Sequence, residues 1–170
     1  GEQYQDDPSM LNTEITYGIA ESYSSTTNDD GTVTYTFVLR DANWSDGQAV
    51  TAGDFVYAWK RLVDPATASD YGYILDGIVV NATEIQSGDV DPSELGIIAV
   101  DDKTLQVNLV AECPYFIELC AFASLMPLRQ DIVEGSDAWT DPANIVVNGP
   151  YIITEWVHDS YIKLAKNADY

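Results

Sequence analysis

The chain has 170 residues, with 28 acidic and 7 basic side chains and a formal charge of −21. Seven scattered cations cannot neutralise a run of phosphates, so the composition excludes nucleic acid as a partner and argues against adsorption to anionic membranes. Apolar residues make up 46%, enough to bury a core despite the charge, and the length suits one domain or one domain and part of a second. No apolar run approaches the roughly 18 residues that span a bilayer. Gly1 and the polar stretch after it read as a processed or engineered start, without a signal peptide or lipid-attachment cysteine.

Residues 1–13 are polar and turn-rich, a loose lead-in. Ile15, Tyr17 and Ile19 alternate with small or polar residues and predict a strand towards Tyr23. Ser24 to Gly31 (SSTTNDDG) reads as a turn, with Asp30-Gly31 as its hairpin signal. Val33, Tyr35, Phe37 and Leu39 alternate with Thr34, Thr36, Val38 and Arg40, which predicts a strand with one buried face. Trp44-Ser45-Asp46-Gly47 makes a tight turn. Thr51 and Asp54 can cap a helix whose stripe is Phe55, Val56, Trp59, Leu62 and Val63, and Asp64-Pro65 stops it.

Residues 69–94 read as short helices and loops, with Asn81 and Pro92 near helix starts. Ile97 to Val100, the turn Asp101-Asp102-Lys103, and the alternation Leu105, Val107, Leu109 predict a hairpin. Pro114 opens a short apolar helix through Phe122, since its missing amide would be unpaired there anyway. Residues 130–147 are helical turns and loops. Asn148-Gly149-Pro150 breaks the chain before two strands, Tyr151–Val157 and Tyr161–Ala165, the last without an evident partner. The expected class is α+β, a mixed or antiparallel sheet with short helices.

The residues offer little chemistry. Cys113 and Cys120 would lie about 10 Å apart along a helix, beyond disulfide reach, and read as two buried thiols. With one histidine they cannot close a zinc site without carboxylates. His158, the only histidine, reads as an exposed turn residue. Adjacent strand positions face opposite ways, so Asp159 does not make a pair with it. Phosphate-loop patterns are absent, the Asn28–Gly31 turn lacks calcium-loop spacing, and Asp101-Asp102 is uninformative in so acidic a chain. No catalytic residue, metal site or cofactor is expected. The nineteen aromatic residues are more suggestive, because tyrosine offers an apolar ring and a polar tip to a mixed ligand.

Several long motifs stand in order: YTFVLR (Tyr35 to Arg40), WSDG (Trp44 to Gly47), VTAGDFVYAWKRLVDPATAS (Val50 to Ser69), LGIIAVDDKTLQVNLV (Leu95 to Val110), PYF (Pro114 to Phe116) and NGPY (Asn148 to Tyr151). With GIAESY (Gly18 to Tyr23) upstream, the stretch from about residue 14 to 170 resembles the extracellular solute-binding proteins of family 5, the oligopeptide-binding (OppA-like) receptors of ABC importers. Ala49 stands where the family has proline. The resemblance implies a partial periplasmic-binding-protein type II fold. Residues 14–145 would be the small second lobe, and 146–170 the return strands of the first lobe.

The resemblance further implies a non-enzymatic receptor for oligopeptide, partnered by a membrane ABC permease. It would lie outside the cell as a periplasmic protein or surface lipoprotein. A lobe carrying the acidic residue that holds a peptide's α-amino group would lie beyond these 170 residues. Tyr71 matches a tyrosine that borders the peptide cleft. Phe122 stands where close relatives place a histidine, and is a weaker ligand candidate with burial in the short helix as the alternative. A nickel chelate or sugar as ligand, a stand-alone interaction module, and a hydrolase are the rival readings. The hydrolase is disfavoured because no nucleophile–base pair can be named.

Overall fold

A computed structural model describes residues 15–168 and 170. Alternation decides the main sheet. Strands β1 (Ala20–Thr27), β2 (Val33–Leu39), β3 (Ile97–Asp101) and β4 (Thr104–Leu109) pair antiparallel in the order β1-β2-β4-β3. In β2, Val33, Phe37 and Leu39 are buried. They face Leu109, Leu105 and the turn before β4, and Tyr35 pairs with Val107. The other face is polar and cross-bonded: Thr34 donates to Asn108 at 2.9 Å and Gln106 to Thr36 at 3.3 Å.

Helix α1 (Ala52–Val63) covers the apolar face of this sheet. Ala52, Ala58, Trp59, Leu62 and Val63 are buried, and Phe55 and Val56 pack at the margin, so the predicted stripe has the right phase. At its start the Asp54 carboxylate accepts from the Thr51 amide at 2.9 Å and from the Trp44 indole at 3.1 Å. One side chain therefore fixes the helix start to the 44–47 turn. At the other end Asp64 caps the 3₁₀ turn Pro65–Thr67 through the Ala66 amide. Helices α2 (Ala82–Gln86), α3 (Phe116–Leu119) and α4 (Gln130–Gly135) are short. Strands β5 (Tyr151–Val157) and β6 (Tyr161–Lys166) form a separate ribbon.

Four expectations need correction. β1 begins at Ala20 and runs through Ser24–Thr27, so the turn is confined to Asn28–Thr32. It is an almost wholly exposed edge strand, and its Ser and Thr residues form a strand because β2 offers them partners. The helix after Pro114 is a single turn, because by Ala121 the amides bond three residues back rather than four. Phe122 thus lies outside that helix and is 39% exposed. Cys113 is buried but Cys120 is only half-buried, although burial and then Cys113 push its thiol up to about 12. Finally, β6 does have a partner, β5. The expected lead-in over residues 1–13 lies outside the described residues.

One buried ionic node was invisible in the sequence. Arg129, 8% exposed, donates to both Asp131 oxygens (2.7 and 2.6 Å) and to Asp46 at 3.1 Å. Beside it, the Ser45 amide donates to the Val147 carbonyl at 2.8 Å, and the Val147 amide to Ser45 Oγ at 3.1 Å. The 44–47 turn therefore clamps the chain just before it enters β5. Hydrogen bonding from Arg129 holds the Asp131 carboxyl below its ordinary value. A depressed carboxyl stabilises the fold above the unfolded value of about 3.9, and that contribution is lost as pH falls through the folded value. Asp131→Asn is therefore expected to lower urea stability at pH 7, with the deficit shrinking as pH falls below the unfolded value and through the lower folded one. The gap is modest because Asp131 is mostly exposed, its side chain at 61%. A deficit that stays constant throughout the acid titration would show that the charge plays no part.

Candidate ligand-binding face

After α1 the chain turns at Ala68, whose φ of 51° is left-handed, and reaches Tyr71 at the head of a 3₁₀ turn over Gly72–Leu75. Ser69 Oγ accepts from the Tyr71 amide at 3.3 Å. Within the turn the burial alternates. Gly72 and Leu75 are buried, whereas Tyr71 and Tyr73 are 45% and 62% exposed. Gly72 is seated tightly: a Cβ there would meet Gln86 Oε1 at 3.1 Å and the Leu62 carbonyl at 3.2 Å. Gln86, from α2, donates to the Gly72 carbonyl at 2.9 Å. The buried residues are thus anchored by α1 and α2, and the two tyrosine rings are left at the surface.

The second candidate meets the first. Phe122 opens the 3₁₀ turn Ala123–Leu125, which the fully buried Leu125 roots in the core. Its ring lies 5.1 Å from that of Tyr71, centroid to centroid, tilted by 60°. The Tyr73 ring lies 6.4 Å from Tyr71 on the other contact. Tyr71, Tyr73 and Phe122 therefore make one exposed aromatic shelf from segments about fifty residues apart. Tyr73 was missed in the sequence reading. The Tyr71-Gly72-Tyr73 pattern was its only signal, because the glycine is what lets both flanking rings stay outside.

A concavity opens on the flanks of the segment that carries Phe122. It is an open groove of about 740 Å³ between residues 15–20, the β1–β2 edge, α1 and the 114–127 segment. Its wall carries an aromatic ladder, with Tyr23 6.2 Å from Tyr35 and 5.9 Å from Phe37, and the buried Phe116 backs it at 4.8 Å from Tyr35. His158 is exposed beyond β5, with its ring 4.4 Å from Trp156. Among the described residues, no group of three or more His, Cys, Asp or Glu side chains could hold a metal ion, and no helix is long and apolar enough to cross a membrane.

The exposed rings and the groove sit on an α+β scaffold, and comparison with known proteins identifies the family of that scaffold. The chain belongs to the bacterial extracellular solute-binding proteins of family 5, whose middle-region model matches residues 14–170. The periplasmic oligopeptide-binding protein OppA of Salmonella typhimurium is 44% identical over 156 residues, covering 90% of this chain and 28% of its own length. The structure of Haemophilus influenzae OppA in complex with RPPGFSPFR superposes with a TM-score of 0.85 at 42% identity, over 92% of this chain and 31% of that one. OppA of Burkholderia pseudomallei superposes with a TM-score of 0.82 at 45% identity, over 90% and 30%. The chain thus spans a little under a third of the length of these relatives, and its α+β architecture matches that part of their fold.

Proposed function

We propose that this chain is part of the solute-binding receptor of an ABC importer, which captures oligopeptides outside the membrane and hands them to a permease. The observation that carries the reading is the match, over 90% of the chain, to oligopeptide-binding relatives. The exposed Tyr71–Phe122 pair supports it locally, since aromatic rings with polar tips at a loop suit peptide contact. Residues 14–145 would form one lobe, and 146–170 would return into another. The separation of the four-stranded sheet from the β5–β6 ribbon, joined at the Ser45–Val147 clamp, supports that division. Closure of a facing lobe would bury the peptide and hold its main chain by hydrogen bonds, leaving side chains in hydrated pockets. Capture of this kind needs no cofactor and no covalent step. The site of action would be periplasmic or at the cell surface, with a lipid anchor as one way to stay there.

Calorimetry with a mixed tri- to pentapeptide library tests the reading. The longer receptor is expected to bind peptides, and the 170-residue chain alone only weakly, because a one-sided site cannot exclude water. Submicromolar binding by the 170 residues alone would sink the two-lobed account. In the longer receptor Tyr71→Ala is expected to weaken binding by about 1 kcal/mol, the scale of one lost contact, and to leave the melting curve unchanged. Unaltered affinity would remove Tyr71 from the peptide site.

A further inference from the structure

We propose that the free edge of β1 is a docking site that takes an extended, net-cationic segment of a partner protein as a fifth strand of the main sheet. The inference goes beyond the receptor reading above and uses neither Tyr71 nor Phe122.

The first observation is the edge itself. β1 has eight residues, and Glu21 to Thr27 are all exposed. Its only neighbour in the sheet is β2, so among the described residues no strand covers its other side. The register shows which backbone groups point there. The Asn28 amide donates to the Thr32 carbonyl at 2.8 Å, and successive residues of a strand turn their N–H and C=O groups to alternate sides. Ser22, Ser24 and Thr26, opposite Val38, Thr36 and Thr34, therefore turn theirs to β2. Tyr23, Ser25 and Thr27 turn theirs outward, about 7 Å apart. Native edges of this kind are usually blunted by proline, lysine, a bulge or a short strand. β3, the opposite edge, has five residues and a register shift near its end. Ala20–Thr27 holds no proline, lysine or arginine, and its one register shift lies between Ala20 and Ser22. Ser22 to Thr27 is thus an unblunted template, and an extended segment binds such an edge through main-chain hydrogen bonds.

The second observation is charge, and it decides the occupant. The chain carries a net charge of −21. Two copies pairing edge to edge would bring two such charges together, and an acidic strand would meet the same field. A cationic strand is drawn in by it. Arg40, whose amide donates to the Ile19 carbonyl at 2.9 Å, stands beyond the register shift and outside the template. Along the template, Ser22, Ser24 and Thr26 present only short hydroxyl side chains on the outer face of the sheet. Short hydroxyl and β-branched residues suit the positions opposite them, since Thr–Thr and Thr–Ser pairs form cross-strand contacts. The expected occupant is therefore a Thr- or Val-rich stretch flanked by lysine or arginine.

Amide hydrogen exchange on the longer receptor reads the edge directly. The probe is acetyl-Lys-Thr-Val-Thr-Val-Thr-Lys-amide, capped at both ends so that it carries no free α-amino group. With the probe in excess, the Tyr23, Ser25 and Thr27 amides are expected to exchange about tenfold more slowly. Those of Ser22, Ser24 and Thr26, already turned to β2, should change little. Ser25→Pro removes one outward amide at an edge position, where proline is tolerated, and should weaken binding about tenfold. A probe N-methylated at every inner residue removes the same bonds without touching the fold, and should not slow exchange at all. Glutamate in place of both lysines should weaken binding about tenfold. Protection absent from β1, or confined to the loops of Tyr71 and Phe122, would overturn the proposal and leave the receptor reading standing. Equal binding of the lysine and glutamate probes would overturn it as well. So would protection of the same three amides that grows with protein concentration and needs no probe, because the occupant would then be a second copy.

Discussion

Trp59→Ala is expected to lower stability by about 3–5 kcal/mol, the range for emptying a large aromatic site in a core. Trp59 is 3% exposed on the inner face of α1, its ring edge-on to Phe116 at 6.4 Å. Its indole also donates to the Leu125 carbonyl at 2.9 Å. That bond ties the helix to the 3₁₀ turn that begins at Phe122, so the side chain couples the core to the aromatic shelf. For a chain of this size each kcal/mol moves the melting point by about 2–4 °C, so a fall on the order of 10 °C is expected. Trp59→Phe separates the two roles. It keeps most of the packing and loses the hydrogen bond, at about 1 kcal/mol. An alanine variant that melts with the wild type would place Trp59 outside the core. A phenylalanine variant as damaged as alanine would make the bond, not the packing, the main contribution.

What the sequence made legible follows its periodicities. β2, α1 and the β3–β4 hairpin announce themselves, because each buries one face and its apolar residues repeat at two or at three to four. β1 buries almost nothing, so the alternation at Ile15, Tyr17 and Ile19 stops before the strand itself begins at Ala20. Its Ser-Ser-Thr-Thr run reads as a turn until β2 is beside it. The helix after Pro114 was overextended because 114–122 is apolar enough for either outcome. What stops it is the shift to three-residue bonding near Ala121, which no composition signals. The Arg129–Asp46 pair spans 83 positions and exists only through the fold. The site shows the same division. Tyr71 and Phe122 could be named from a family resemblance, but their 5.1 Å contact depends on α1, α2 and Leu125 bringing two loops together. Tyr73 carried no motif of its own.

Gly96→Ala should be the second most damaging small change, at about 2–3 kcal/mol, near the top of the range for overpacking. Gly96 stands where residues 78–80 cross the end of the hairpin. Its amide donates to the Val80 carbonyl at 2.9 Å, its carbonyl accepts from Asn108 at 2.7 Å, and the Val80 amide donates to Asn108 at 3.0 Å. A Cβ there would lie 2.8 Å from Val80 Cβ, 2.9 Å from the Asn108 carbonyl oxygen and 3.2 Å from that of Val80. Two of these atoms are backbone, held by the same bonds, so the neighbours cannot simply rotate away. Gly53 is the internal control: in α1 its Cβ would meet only Thr51 Oγ1, at 3.4 Å. Gly53→Ala should therefore stabilise the fold by about 0.5–1 kcal/mol, the usual gain inside a helix. Denaturant melts of both variants should move in opposite directions, and a Gly96→Ala protein as stable as the wild type would mean that 78–80 gives way freely. The consequence reaches the shelf. The Ile78 and Val79 amides both bond back to the Leu75 carbonyl, which closes the turn that presents Tyr73. Loosening 78–80 should thus free that turn, so hydrogen exchange at the Ile78 and Val79 amides should quicken in Gly96→Ala and stay unchanged in Gly53→Ala.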